Sequence, residues 1–190
     1  MILFLIGYMA CGKTTLGHAL AKASLARFVD LDEYIERRTG LSPAAWFSRH
    51  GEDAFRDAEH RLLTELIEES ATDAENTLPL AVGCGGGTPC RAESMKLMLR
   101  HGTVVWLKAS IERTIERIVL EPGKRPLLAG LTGSRLREFV VDHFQKRCQA
   151  YSEANLVFDS SRLDTQAEID ATVDEFNRKI LSTLGSGSLD

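Results

Sequence analysis

The chain has 190 residues, 44% of them apolar and 26% charged, which suits one globular domain and excludes general disorder, collagen and coiled coil. Its charge balance of 23 minus 27, or −4, lacks the basic surplus on which sequence-blind binding to nucleic acid or an anionic membrane depends, so neither partner is expected. Cys11, Cys84, Cys90 and Cys148 form no CxxC pair and no zinc-spaced set, and the apolar start lacks a basic flank and is too short for a signal or membrane segment; both point to the cytoplasm.

Ile2 to Ile6 is wholly apolar and ends at Gly7, as expected of a strand covered on both faces of a parallel sheet. Lys13 to Ala23 reads as a helix, Phe28 to Leu31 as a short strand and Glu33 to Arg38 as helical. Ser42-Pro43 is an N-cap followed by proline at the first helical position, opening a short helix that breaks at His50-Gly51. From Glu52 to Glu69, Phe55, Ala58, Leu62, Leu63, Leu66 and Ile67 recur with helical spacing. Then come strand Leu80 to Val82, a glycine run, helix Arg91 to Arg100, strand Thr103 to Leu107 and helix Ile111 to Leu120. Glu121 to Gly133 fits no period, and an irregular loop of that length is usually functional or disordered. Helix Ser134 to Ala154, strand Leu156 to Phe158 and a helix marked by Ile169, Val173, Phe176, Ile180 and Leu184 complete the chain. Strands alternating with helices predict an α/β fold, a parallel sheet with right-handed crossovers in three layers.

Gly7-Tyr-Met-Ala-Cys-Gly12-Lys13-Thr14 matches G-x-x-x-x-G-K-[ST] between the first strand and the first helix. Backbone N–H groups there wrap a β-phosphate, Lys13 bridges β- and γ-oxygens, and Thr14 ligates Mg²⁺. The motif predicts nucleoside triphosphate binding without choosing between GTPase, motor and small-molecule kinase; a guanine-reading NKxD is missing from the sequence. On the acceptor side, Asp30-Leu-Asp32 closes the second strand, and residues i and i+2 share a face of an extended chain, so both carboxylates can point past the strand ends. Equally, Asp32 could cap the next helix and Asp30 be a solvated strand end. Arg56 adjoins a core phenylalanine at a helix start, Gly85-Gly86-Gly87 lets backbone approach a ligand, Arg125 lies in the Pro/Gly loop, and Arg147 shares a helix stripe with His143 and Tyr151. Taken singly, each arginine is also compatible with a surface charge.

Together these stretches resemble shikimate kinase, a P-loop family of the nucleoside-monophosphate-kinase-like fold. The carriers are GYMACGKTTLG (7–17), VDLDEYIE (29–36), FSRHGEDAFRDAE (47–59), GGGTP (85–89), KRPLL (124–128) and RCQAYSEA (147–154). The resemblance implies a five-stranded parallel sheet of order 2-3-1-4-5 in one domain over 1–184. It also implies a substrate-binding segment at 33–60 and a mobile lid at 121–133; 185–190 is expected to be a flexible tail. It implies transfer of the ATP γ-phosphate to the 3-hydroxyl of shikimate, on the route to aromatic amino acids, by a monomer using Mg²⁺. Carried over by residue, Lys13, Asp32 and Arg125 are catalytic, with Asp32 as base and holder of the ring hydroxyls. Gly7, Ala10, Cys11, Gly12, Lys13, Thr14, Thr15 and Arg117 would bind the nucleotide, Arg117 against adenine. Arg56 and Arg147 would clamp the shikimate carboxylate, Gly85, Gly86 and Gly87 would contact the ring hydroxyls, and Phe47 and Phe55 would wall the pocket. Asp30 would order Mg²⁺ beside Thr14. Two departures stand out: Ala10 replaces a common third loop glycine, and Pro43-Ala44-Ala45-Trp46 replaces a more usual Ile-x-Glu-Ile-type segment. The rival readings are a gluconate-kinase-like small-molecule kinase and a non-catalytic, kinase-derived ATP-binding module.

Overall fold

The computed structural model describes residues 1–73, 76–121 and 125–185. The expected tail therefore falls almost wholly outside the described residues, as do positions 122–124 of the expected lid. In chain order the elements are β1 (Ile2–Ile6), α1 (Lys13–Lys22), β2 (Arg27–Asp30), α2 (Leu31–Thr39), α3 (Pro43–Thr72), β3 (Leu80–Gly83), α4 (Ala92–His101), β4 (Thr103–Lys108), α5 (Ile111–Leu120), α6 (Gly133–Tyr151), β5 (Leu156–Asp159), α7 (Gln166–Phe176) and α8 (Ser182–Gly185). Single 3₁₀ turns stand at Thr88–Cys90 and Pro126–Leu128, and a π turn at Asn177–Leu181 joins α7 to α8.

The five strands are all parallel, in the order β2-β3-β1-β4-β5. Period-two alternation splits β1 between two cores: Ile2, Phe4 and Ile6 join the α2, α3, α4 and α6 side, Leu3 and Leu5 the α1 and α7 side. Both faces are covered, which is why the strand is apolar throughout rather than alternating. Parallel pairing also delivers every strand's C-terminal end to one edge of the sheet, so the loops after β1, β2, β3 and β5 assemble there.

Local chemistry sets the helix ends. Ser42 Oγ accepts from the Ala45 N–H at 3.3 Å with Pro43 behind it, and Ser110 Oγ accepts from the Arg113 N–H at 3.2 Å. The break expected at His50-Gly51 is present: Gly51 takes φ 81° and ψ 173° and re-aims the rest of α3. Such a backbone is strained for any residue bearing a Cβ. Trp46, in the departing segment, donates from Nε1 to Thr39 Oγ1 at 3.2 Å and so ties α3 to α2. Among the described residues of the loop expected after Leu120, the 3₁₀ turn Pro126–Leu128 buries Leu128.

Candidate active site

The phosphate loop is closed by its own lysine. Lys13 Nζ donates to the carbonyls of Gly7 and Tyr8, each at 3.0 Å, and lies 3.6 Å from Cys11 Sγ. Neutral carbonyls leave the ammonium its charge, and the loop runs straight into the N-terminus of α1, where unpaired N–H groups favour an anion. Ala10 adopts φ 59°, the left-handed region, which costs a residue with a Cβ about 1–2 kcal/mol. Its carbonyl accepts from Arg117 Nη1 at 3.2 Å, which holds the strained turn in place. A cavity of about 410 Å³ beside the loop is lined by Ala10, Gly12, Lys13, Thr14, Thr15, Arg117, Arg125 and Leu163, among others. Gly7 serves the loop through its carbonyl, and Cys11 through a side chain buried in the core.

The expected geometry of Asp30 and Asp32 needs correction. They do not share a face of one strand, because β2 ends at Asp30 and Asp32 already lies in the first turn of α2. Asp30, not Asp32, is the N-cap: its Oδ1 accepts from the Asp32 N–H at 3.1 Å, while its Oδ2 accepts from Thr14 Oγ1 at 2.9 Å. The two carboxylates are neighbours through a helix cap rather than through the strand pleat. Burial, with Asp30 and Glu59 nearby, pushes Asp32 up to about 6 against the opposing pull of Lys13 and Arg56. Thr14 and Asp30 together offer the hard oxygen donors that suit Mg²⁺, an ion that keeps several waters and needs few protein ligands.

Beyond Gly51, α3 brings in Phe55, Arg56 and Glu59. Arg56 Nη1 donates to Glu59 Oε2 at 2.8 Å and Nη2 to Glu52 Oε1 at 3.4 Å. The Phe47 and Phe55 rings stand 4.7 Å apart, and the guanidinium carbon lies 5.8 and 5.2 Å from their centres. Glu59 is only 1% exposed and accepts a second bond from Thr88 Oγ1 at 2.7 Å, so this buried charge is paired and hydrogen-bonded. The glycine run threads between these groups. A Cβ on Gly87 would overlap the Arg56 guanidinium, one on Gly86 would stand 3.2 Å from Arg147 Nη1, and one on Gly85 would stand 3.2 Å from both Asp32 Oδ1 and Glu59 Oε1. Tyr151, fully buried, donates to the Gly86 carbonyl at 2.7 Å. A cleft of about 440 Å³ opens against Glu52, Asp53, Arg56, Gly87, Cys90, Arg91 and Arg147. Phe47 and Phe55 reach this group through the Arg56 guanidinium, Gly86 through Arg147, and Gly85 stands beside Asp32 and Glu59.

Arg117 is fixed on four sides. Besides Ala10 it donates to the carbonyls of Ser160 and Ser161 at 3.2 and 3.0 Å and to Asp164 Oδ1 at 2.6 Å. It thus presents one rigid guanidinium plane at the cavity wall. Arg125 Nη2 donates to Glu121 Oε2 at 2.9 Å, while its buried Nη1 has no hydrogen-bond partner among the described residues. It lines the phosphate-loop cavity and also an apolar cavity of about 500 Å³ under the 3₁₀ turn. Glu59, Thr88 and Tyr151 were not singled out from sequence. Two had a signal: Glu59 lies one turn after Arg56, and Tyr151 one turn after Arg147.

Known proteins fit the same picture. The family model described as shikimate kinase matches residues 9–183. A shikimate kinase of Parabacteroides distasonis is 39% identical over 166 residues, 87% of this chain and 91% of that one. Among solved structures, shikimate kinase from Bacteroides thetaiotaomicron aligns with a TM-score of 0.84 at 31% identity, over 94% of this chain and 97% of that one. Shikimate kinase from Acinetobacter baumannii, solved in complex with shikimate, aligns with a TM-score of 0.74 at 29% identity, over 100% of this chain and 95% of that one. With the match running from within the phosphate loop into the last helix, the chain belongs to the shikimate kinase family.

Proposed function

We propose that this protein transfers the γ-phosphoryl group of ATP to the 3-hydroxyl of shikimate, releasing shikimate 3-phosphate and ADP. The observation that carries the reading is the position of Asp32, which feels Lys13 of the phosphate loop on one side and Arg56 of the acceptor cleft on the other. A carboxylate poised near 6 is ionised at neutral pH yet basic enough to take a proton in the transition state. Asp32 receives the proton of the attacking hydroxyl as its oxygen bonds to the γ-phosphorus; the bond from that phosphorus to the bridging oxygen breaks, and ADP departs. Phosphoryl transfer asks the protein mainly for alignment and positive charge. Lys13 supplies charge from the loop. Arg125 turns from Glu121 to the transferring group as residues 125–133 close over the nucleotide, and closure excludes water that would otherwise take the phosphoryl group.

Arg56 and Arg147 hold the planar carboxylate of shikimate, a task for which a guanidinium fork is better shaped than an ammonium. Gly85–Gly87 bring backbone against the ring hydroxyls, and Phe47 and Phe55 wall the ring. Arg117 lies flat against adenine. Thr14 and Asp30 would hold Mg²⁺, which would neutralise charge on the phosphate oxygens. The accompanying reading is a monomer of the cytoplasm. It is supported by four free cysteines, of which Cys11 and Cys84 are buried as small apolar residues. No helix among the described residues is long and apolar enough to cross a membrane.

The deciding experiment is a coupled ADP-release assay with shikimate set against gluconate and a panel of other polyols and hydroxy acids. ADP release that depends on shikimate and follows no other acceptor is expected. Binding of ATP without acceptor-dependent release would overturn the proposal.

A further inference from the structure

Tyr8 is the second residue of the phosphate loop. Its carbonyl is one of the two that hold Lys13, and its side chain, 2% exposed, points away from the cavity. The hydroxyl meets His143 Nδ1 of α6 at 2.9 Å, across 135 positions of sequence. The Tyr8 ring stands edge-on to Phe144 at 5.7 Å, and His143 stacks on Phe139 at 5.2 Å, so both partners are held in their rotamers by aromatic neighbours. Burial, together with Arg147 and Lys146, holds His143 below its ordinary value, and burial pushes Tyr8 up to about 12. At neutral pH the imidazole is therefore uncharged, and its tautomer sets which of Nδ1 and the tyrosine hydroxyl donates.

His143 also stands one helical turn before Arg147, and Tyr151 one turn after it. α6 thus bonds the phosphate loop at one end of this stripe and the glycine run at the other, through Tyr151 and the Gly86 carbonyl, with Arg147 between. The two loops also approach each other directly where Gly86 passes the phosphate loop: a Cβ there would stand 3.5 Å from the Gly7 carbonyl oxygen. We propose that Tyr8 and His143 form a clasp that keeps the phosphate loop in register with α6, so that the phosphoryl donor and the acceptor held at Arg147 arrive in line. Both are positioning residues, neither touching substrate. The inference rests on the kinase reading above and on Arg147 as an acceptor ligand. Its signature is a fault of alignment rather than of binding, because neither cavity loses a lining group.

The test compares Tyr8→Phe, His143→Leu, their double variant and His143→Gln, which keeps an acceptor, by ADP-release kinetics with ATP and shikimate. Tyr8→Phe and His143→Leu should each lower kcat by about ten- to a hundredfold, since misplacement of about 1 Å costs up to that much, with both KM values within about twofold of wild type. The double variant should be no slower than the worse single one, because both changes remove the same bond. His143→Gln should recover most of the rate. An unchanged kcat in Tyr8→Phe overturns the proposal, as does multiplication of the two single losses or a rise in KM at constant kcat. Should His143→Leu not fold, Tyr8→Phe decides alone, because it keeps the buried ring. A wild-type protein that releases no ADP with shikimate breaks the kinase reading instead, and with it the premise of the clasp.

Discussion

On the phosphate-loop side, consecutive residues from Gly7 to Thr15 supply most of the groups, joined by Arg117 and Arg125, and backbone carbonyls hold Lys13. On the proposed acceptor side the groups are mainly side chains, and they arrive separately: Asp32 on α2, Arg56 on α3, the glycine run after β3 and Arg147 on α6. The first half is assembled by local chain geometry. The second needs a supporting layer, and the structure has one: Glu59 braces Arg56, Thr88 braces Glu59, and Tyr151 holds the Gly86 carbonyl. A backbone-built site has few distant supports to lose, the Tyr8–His143 bond among them, whereas a side-chain-built site inherits every weakness of its supports.

The strongest test of the comparison lies where the halves meet. Asp32→Asn should lower kcat by about 10²- to 10⁴-fold, as expected for loss of a general base, while ATP affinity holds. In the wild type, kcat/KM for shikimate should fall with acid on a limb near pH 6, where Asp32 takes up its proton. The sign for stability is opposite to that for activity. The folded pKa is raised from an unfolded value of about 3.9, so the wild type is favoured below that value and loses the benefit as pH rises through 6. Asp32→Asn should therefore be more stable than wild type at pH 8, by about 1–2 kcal/mol once partial solvent screening is allowed for, and equal to it near pH 4. Thermal melts at the two pH values measure this; equal melting at pH 8 would show that Asp32 carries no strain.

Next in size, Arg125→Lys should reduce kcat about a hundredfold with little change in either KM, since ammonium keeps the charge but loses the fork. An unchanged kcat removes Arg125 from the transition state. Arg56→Ala should raise the KM for shikimate about ten- to a hundredfold and leave that for ATP within about twofold. Glu59→Gln should move the same constant in the same direction by less, and equal effects on both substrates would erase the division into halves. Smallest is Ala10→Gly on the backbone-built side. It relieves a left-handed alanine, offset in part by the greater freedom of glycine in the unfolded chain. A net gain of about 0.5 kcal/mol, or a melting temperature about 1–2 °C higher, is expected in a scanning calorimeter.

How much was legible follows the same division. Strand β1, the phosphate loop and the cap at Ser42 are local patterns, and the structure has each where the residues put it. The strand order agrees with the family resemblance rather than with any single residue. Asp30 and Asp32 were legible as neighbours but not in geometry, because buried Leu31 between them suits a strand end and a first helical turn equally well. Glu59 reads as a solvated charge on a helix until Arg56 and Thr88 are known to close over it. His143 offered only a stripe with Arg147; its partner Tyr8 lies in a loop that the motif had already explained. Contacts between distant segments leave no mark on either segment alone.

Gly85, Gly86 and Gly87 carry a consequence for mutational drift. Every codon change that replaces one of them adds a Cβ, and each Cβ presses on something different. At 87 it displaces the Arg56 guanidinium, at 86 it crowds Arg147, and at 85 it crowds Asp32, Glu59 and Thr88. On the proposed roles, three adjacent codons therefore bear on different parts of the site: 87 on Arg56, 86 on Arg147 and 85 on Asp32. Along this stretch it is the missing side chains that leave room for Arg56, Arg147 and Asp32 to stand side by side.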